Sequence, residues 1–100
     1  MSLLKQIVSE EKARIEKMIH DYENELSLLP KGTMVCKKVK NKQYYYLQFR
    51  EGKKTVSTYV GNDENKVAEL KEQINRRKHI EAMLKTLKIE NAQALKFIGE

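Results

Sequence analysis

Leu4, Val8, Ile15, Met18, Tyr22, Leu26 and Leu29 recur at three- and four-residue steps, with Glu11 in the one polar slot. Leu3, Ile7 and Ile19 widen the stripe. That spacing is the period of a helix with one apolar face, and it predicts a helix over residues 3–29. No Gly or Pro interrupts it until Pro30 and Gly32, which together stop a helix. At 1.5 Å per residue it would run about 40 Å. That is longer than one small core needs, which points to a coiled-coil arm or a helix paired along its length.

From residue 33 the pattern becomes β-prone. Thr33 to Val39 reads as a strand, and Lys40-Asn41-Lys42 as a turn, because Asn tolerates positive φ. Tyr44 to Arg50 is the strongest strand of the chain, and Lys53 to Val60 a third. With Glu51-Gly52 as a two-residue hairpin loop, Arg50 would face Lys53, Leu47 would face Val56 and Tyr45 would face Thr58. Tyr45, Leu47, Phe49, Val56 and Val60 would then share the core face. Tyr44, Tyr46, Gln48, Arg50, Thr55, Ser57 and Tyr59 would share the open one. The first hairpin has two solutions. A two-residue loop sends Met34 and Cys36 to the core, and a three-residue loop sends Val35 and Val39 there.

Gly61 ends the sheet, and Asn62 or Asp63 caps a second helix over 63–88. Val67, Leu70 and Ile74 form its first stripe. Arg76-Arg77-Lys78-His79 interrupts, and Ile80, Leu84, Leu87, Leu95 and Ile98 resume, with Asn91 in one slot. The two stripes differ in phase by about 100°. Either the helix bends or supercoils near residue 77, or its halves face different partners. Residues 91–98 form a short last helix, capped by Asn91, or a continuation. The elements predict one α+β domain over 1–100: a long helix, a three-stranded antiparallel meander and a second long helix paired antiparallel with the first.

Composition narrows the functional classes. The chain has 100 residues, 40% apolar and 34% charged, with one Cys, one Pro and no Trp. Collagen-like, low-complexity and disulfide-stapled classes are excluded. With Cys36 alone there is no internal disulfide, and no apolar run is long enough for a membrane span or, after Met1, a signal-peptide core. A cytoplasmic protein with no membrane partner is expected.

The net charge of +6 is concentrated in the middle third, where eight basic residues, Lys31 to Lys54, stand against Glu51 alone. The flanks are close to neutral and mixed in sign, as solvated helices are. Arg76-Arg77-Lys78 either extends the basic surface or, the commoner case, is a solvated helix face with i,i+4 partners in Glu72 and Glu81. His20 and His79 each sit among charged residues on a helix. No ligand quartet for zinc, no phosphate-cradling Gly loop and no base beside Cys36 can be read in the sequence. The expectation is a chain that is not an enzyme and takes no cofactor and no metal.

Lys37, Lys38, Lys40 and Lys42 line the first hairpin, and Arg50, Lys53 and Lys54 line the tip of the second. Tyr44, Tyr46 and Tyr59 fall on the open face. Cations interleaved with exposed rings can follow a phosphate backbone and stack on bases, and a two-stranded ribbon can enter a DNA major groove. Two blander accounts compete. Edge lysines block strand-to-strand aggregation, or a helix covers each face of the sheet and buries the tyrosines.

Leu29-Pro30-Lys31-Gly32-Thr33, Lys42-Gln43-Tyr44-Tyr45-Tyr46-Leu47-Gln48-Phe49-Arg50-Glu51-Gly52-Lys53-Lys54 and Tyr59-Val60-Gly61 together resemble a small uncharacterised family of bacterial and phage-associated proteins. In that family the same tyrosine-rich hairpin sits between two charged helices. The middle element is similar to a hairpin near the start of some insertion-sequence transposases, and in outline to the basic three-stranded arm-binding modules of phage integrases. Their catalytic residues have no counterpart here, so the resemblance implies a binding role in a mobile-element or chromosomal setting. The leading expectation is a nucleic-acid-binding accessory protein acting through these ten basic and tyrosine residues. The alternative is a protein–protein module, antitoxin-like, inhibitor-like or a helical adaptor, whose basic sheet meets an acidic protein. Either could form a homodimer through the helices.

Overall fold

Ser2 opens the first helix, its hydroxyl accepting the Lys5 N–H at 3.2 Å. The computed structural model describes residues 2–99. In chain order they form α1 (Leu3–Ser27), β1 (Thr33–Val39), β2 (Lys42–Glu51), β3 (Lys54–Gly61) and α2 (Glu64–Gly99). This is the α+β arrangement of helix, meander and helix that the periodicities predict. The chain divides into two compact units. One holds α1 with α2 from His79 onward, and the other is Leu29–Lys78.

α1 ends at Ser27, two residues before the predicted stop. Pro30 disfavours helical geometry at Leu29 before it, and the Leu28 N–H closes the last turn on Glu25 O at 3.0 Å. In the helical unit Ile15, Ile80, Leu84 and Leu87 are buried. Lys88 meets Glu23 at 3.2 Å, while Ile98 shares a hollow with Ser2, Lys5 and Ser9. Late residues of α2 therefore lie beside early residues of α1, an antiparallel pair. On the exposed side of α1, Arg14 hydrogen-bonds Glu11 and holds that carboxyl below its usual range.

α2 has no break at Ile89–Asn91, and Asn91 caps nothing. It stands at a seam position with its side-chain oxygen buried and unpartnered. The phase change in the sequence has a simple origin. Val67 and Ile74 are buried in the sheet unit, Ile80, Leu84 and Leu87 in the helical unit. The two halves of α2 face different partners. Arg77 is half-buried at the changeover and donates to Leu29 O at 3.0 Å.

Asp63, rather than Asn62, caps α2, its side chain accepting from the N–H groups of Asn65 and Lys66. The sheet order is β1-β2-β3, antiparallel throughout. Val39 pairs with Lys42 across a two-residue loop, Lys40-Asn41, whose φ values are 48° and 66°. Positive φ at both loop positions is the tight hairpin turn that matches strand twist. It selects the two-residue solution, with Met34 opposite Leu47 and Cys36 opposite Tyr45. Cys36 is exposed on this edge strand.

The second loop is Gly52-Lys53, not Glu51-Gly52, because Gly52 takes the first loop position at φ 64°. Glu51 then pairs with Lys54, Phe49 with Val56 and Leu47 with Thr58, which corrects the predicted register. The slip is two residues in partner, so the side chains from Lys54 to Tyr59 keep their faces. Between Tyr45 and Tyr46 the ladder has a bulge, which sets Tyr45 opposite Gly61 and leaves Val60 outside the predicted alternation.

α2 covers the face that carries Tyr45 and Met34. Lys71 Nζ lies 4.8 Å from the centre of the Tyr45 ring, and Thr33, Met34, Lys71, Ile74, Asn75 and Lys78 line one hollow. Ahead of β1, Gly32 lies so close to β2 that a Cβ there would fall 2.6 Å from Gln48 O. Leu47 and Phe49 are half-buried, and among the described residues Ile80 is fully buried. No helix of the described residues is long and apolar enough to cross a membrane.

Candidate nucleic-acid interface

Alternation along β2 places Tyr44 and Tyr46 on the face away from α2, and the corrected register brings Tyr59 of β3 opposite Tyr46. The predicted loop would have set Tyr59 opposite Tyr44. The Tyr59 ring instead bridges both: its centre is 5.4 Å from that of Tyr46, edge to face, and 6.3 Å from that of Tyr44, tilted. These are favourable aromatic separations and geometries. Tyr59 keeps 57% of its surface exposed, and Tyr44 and Tyr46 are half-buried.

The basic residues divide. Lys37, opposite Tyr44 in the ladder, reaches diagonally and sets its ammonium 4.8 Å from the centre of the Tyr46 ring. Lys42 and Arg50 lie on the same face, at the two ends of the β2 row. Lys40 and Lys53 are in the loops. Lys38 and Lys54 alternate to the opposite face, the one that carries Met34 and Phe49. Of the ten predicted site residues the structure thus gathers six on one face: Lys37, Lys42, Tyr44, Tyr46, Arg50 and Tyr59. All seven basic side chains are exposed, and among the described residues none of them is ion-paired.

Other residues share the face, among them Thr55 opposite Arg50, Val35 opposite Tyr46 and Val39 opposite Lys42. Gln48 lies between Tyr46 and Arg50, and Ser57 is its ladder partner. Alternation alone put them there, but neither was singled out as a site residue, because an amide and a hydroxyl carry no charge or ring signal. Both are exposed. The arrangement is chemically a platform of rings with an ammonium or guanidinium on each side. It can offer π-faces, hydrogen-bond donors and positive potential, with Glu51 as the single carboxylate of the three strands, alternating to the other side. Lys71 was not foreseen beside a tyrosine, but it lies over Tyr45 on the covered face and belongs to the packing.

A family model described as a domain of unknown function (DUF6788) matches residues 5–72. That range takes in α1 from Lys5, the whole meander and the sheet-covering part of α2. No curated protein and no solved structure matches the chain.

Proposed function

The chain belongs to the DUF6788 family, a domain of unknown function, and from that footing we propose that it is a nucleic-acid-binding accessory protein acting through the tyrosine face of its sheet. One observation carries the reading. Tyr44, Tyr46 and Tyr59 make a single ring cluster on the face α2 leaves open, and Lys37, Lys42 and Arg50 surround it with no carboxylate among them. Rings packed under a helix would have favoured a protein adaptor. Rings open beside cations favour stacking on bases and contact with phosphates.

The role is binding without catalysis, because the side chains gathered here are those that hold a polyanion. The setting we propose is a bacterial chromosome or a mobile element, supported by the resemblance of residues 29–61 to a bacterial and phage-associated family and of the middle element to a transposase hairpin. A cytoplasmic location is supported by the single free Cys36. Self-association through the helical unit is supported by Leu3, Leu4 and Ile7, which are 72%, 59% and 52% exposed at the start of α1.

The test is binding of mixed-sequence oligonucleotides, single- and double-stranded, at low and rising salt. Binding should weaken as salt rises, since each neutralised phosphate releases counterions. If no oligonucleotide binds at low salt, the reading fails, and the basic face reverts to an acidic protein partner or to edge protection.

A further inference from the structure

Every second residue of β2 points to the open face, so Lys42, Tyr44, Tyr46, Gln48 and Arg50 form one row. At about 3.4 Å per residue, successive members of the row are about 7 Å apart and its ends about 27 Å apart. The order is cation, ring, ring, amide, cation. Tyr59 from β3 and Lys37 from β1 flank the two central rings.

A nucleic-acid duplex has little use for this row. Its base faces are stacked inside, and it presents phosphates and groove edges. A duplex reader would place long hydrogen-bonding side chains at the centre and many cations around them. Here the centre is aromatic, the cations of the face number three, and Lys38 and Lys54 lie on the other side of the sheet. A single strand fits better, because its bases are free to splay and each has a face to lay on a ring. The cations then stand where the backbone enters and leaves. Lys37, already over the Tyr46 ring, keeps its ammonium donors available to a phosphate between them.

Resting on the nucleic-acid reading above, we infer that the ligand of the tyrosine face is single-stranded nucleic acid. Its bases stack on Tyr44, Tyr46 and Tyr59, and its phosphates meet Lys42 and Arg50 at the ends of a run of about four nucleotides, the low end of single-strand site sizes. Stacking of this kind tolerates any base, so recognition is of strand form rather than of sequence.

The full chain reports binding by its own emission. It has five Tyr and no Trp, and three of the five are in the row or beside it. An oligothymidylate, an oligouridylate of the same length and a blunt DNA duplex are titrated at equal salt. A single strand, deoxy or ribo, should quench tyrosine emission and bind at least about tenfold tighter than the duplex, with a log K against log salt slope no steeper than about 2 for three contacts at about 0.7 each. Tyr59→Ala should weaken that binding about tenfold or more, whereas Tyr59→Phe should retain it, because the ring and not the hydroxyl is used. Tyr59 is exposed, and circular dichroism of both variants checks the fold. A duplex bound as tightly as the single strands, or a Tyr59→Ala protein with unchanged affinity, overturns the inference and leaves the general nucleic-acid reading standing. No binding of any of the three at low salt overturns both.

Discussion

The ammonium of Lys37 sits 4.8 Å from the centre of the Tyr46 ring, across the β1–β2 ladder and one step diagonal to its direct partner, Tyr44. The contact joins the two chemistries of the face, because one side chain both packs on a ring and presents a charge. It also orders a flexible lysine beside two tyrosines. An exposed cation–π contact contributes about 0.5–1 kcal/mol. Lys37→Met, which keeps the apolar stem and removes the charge, should lower stability by about that amount in a denaturant titration. An unchanged midpoint would mean that water, not the ring, holds the ammonium.

The alternation of lysines between the two faces gives a sharper test than their number. Lys37→Gln, Lys42→Gln and Arg50→Gln together should flatten the salt dependence of single-strand binding by about two units, at about 0.7 per phosphate contact. Lys38→Gln with Lys54→Gln should change it far less, although the double variant removes charges from the same hairpins. Equal effects of the two sets would show that the polymer senses only net charge.

Gly32 has φ 133°, and a Cβ added to it would meet Gln48 O at 2.6 Å and Leu47 Cδ1 at 3.0 Å. The backbone conformation and the close approach to β2 both require glycine. Gly32→Ala should therefore destabilise by about 2 kcal/mol or more, the sum of backbone strain and a forced shift of β2. Gly52, at φ 64° with open space around it, should accept Asn at a cost below about 1 kcal/mol, since Asn visits that region. A thermal melt of the two variants ranks them, and a reversed order would place the strain at the wrong turn.

Asn91 holds a seam position of α2 with a buried side-chain oxygen that makes no hydrogen bond. Leaving such an atom unsatisfied costs about 1–3 kcal/mol, and an apolar group of similar size removes the cost. Asn91→Leu should raise the melting temperature, by roughly 4–8 °C per kcal/mol recovered in a domain of this size. A lower melting temperature would show that the amide is satisfied by a partner that a leucine cannot replace.

The sequence alone determined the element order and the faces of β2 and of β3 as far as Tyr59, while the face of β1 stood open between two loop lengths. Apolar steps of three and four defined α1, Pro30 and Gly32 ended it, and alternation put Tyr44, Tyr46 and Tyr59 on one side. These signals are local, and they survive a misplaced turn: shifting the second loop from Glu51-Gly52 to Gly52-Lys53 changes the partners of Tyr46 to Arg50 by two and leaves the faces of Lys54 to Tyr59 as they were. Tertiary structure decided what is non-local. It chose the partners across each ladder, and with them the meeting of Tyr59 with both Tyr44 and Tyr46, which follows from the register that the Gly52-Lys53 loop sets. It also decided that α2 runs unbroken through Asn91, facing the sheet in one half and α1 in the other. Helix propensity at Ile89-Glu90-Asn91 is too weak a prior to settle continuity, whereas packing against a partner over several turns settles it. The charge of the middle third could be counted from the sequence. Which of its lysines stand beside the rings follows only once the strands are paired.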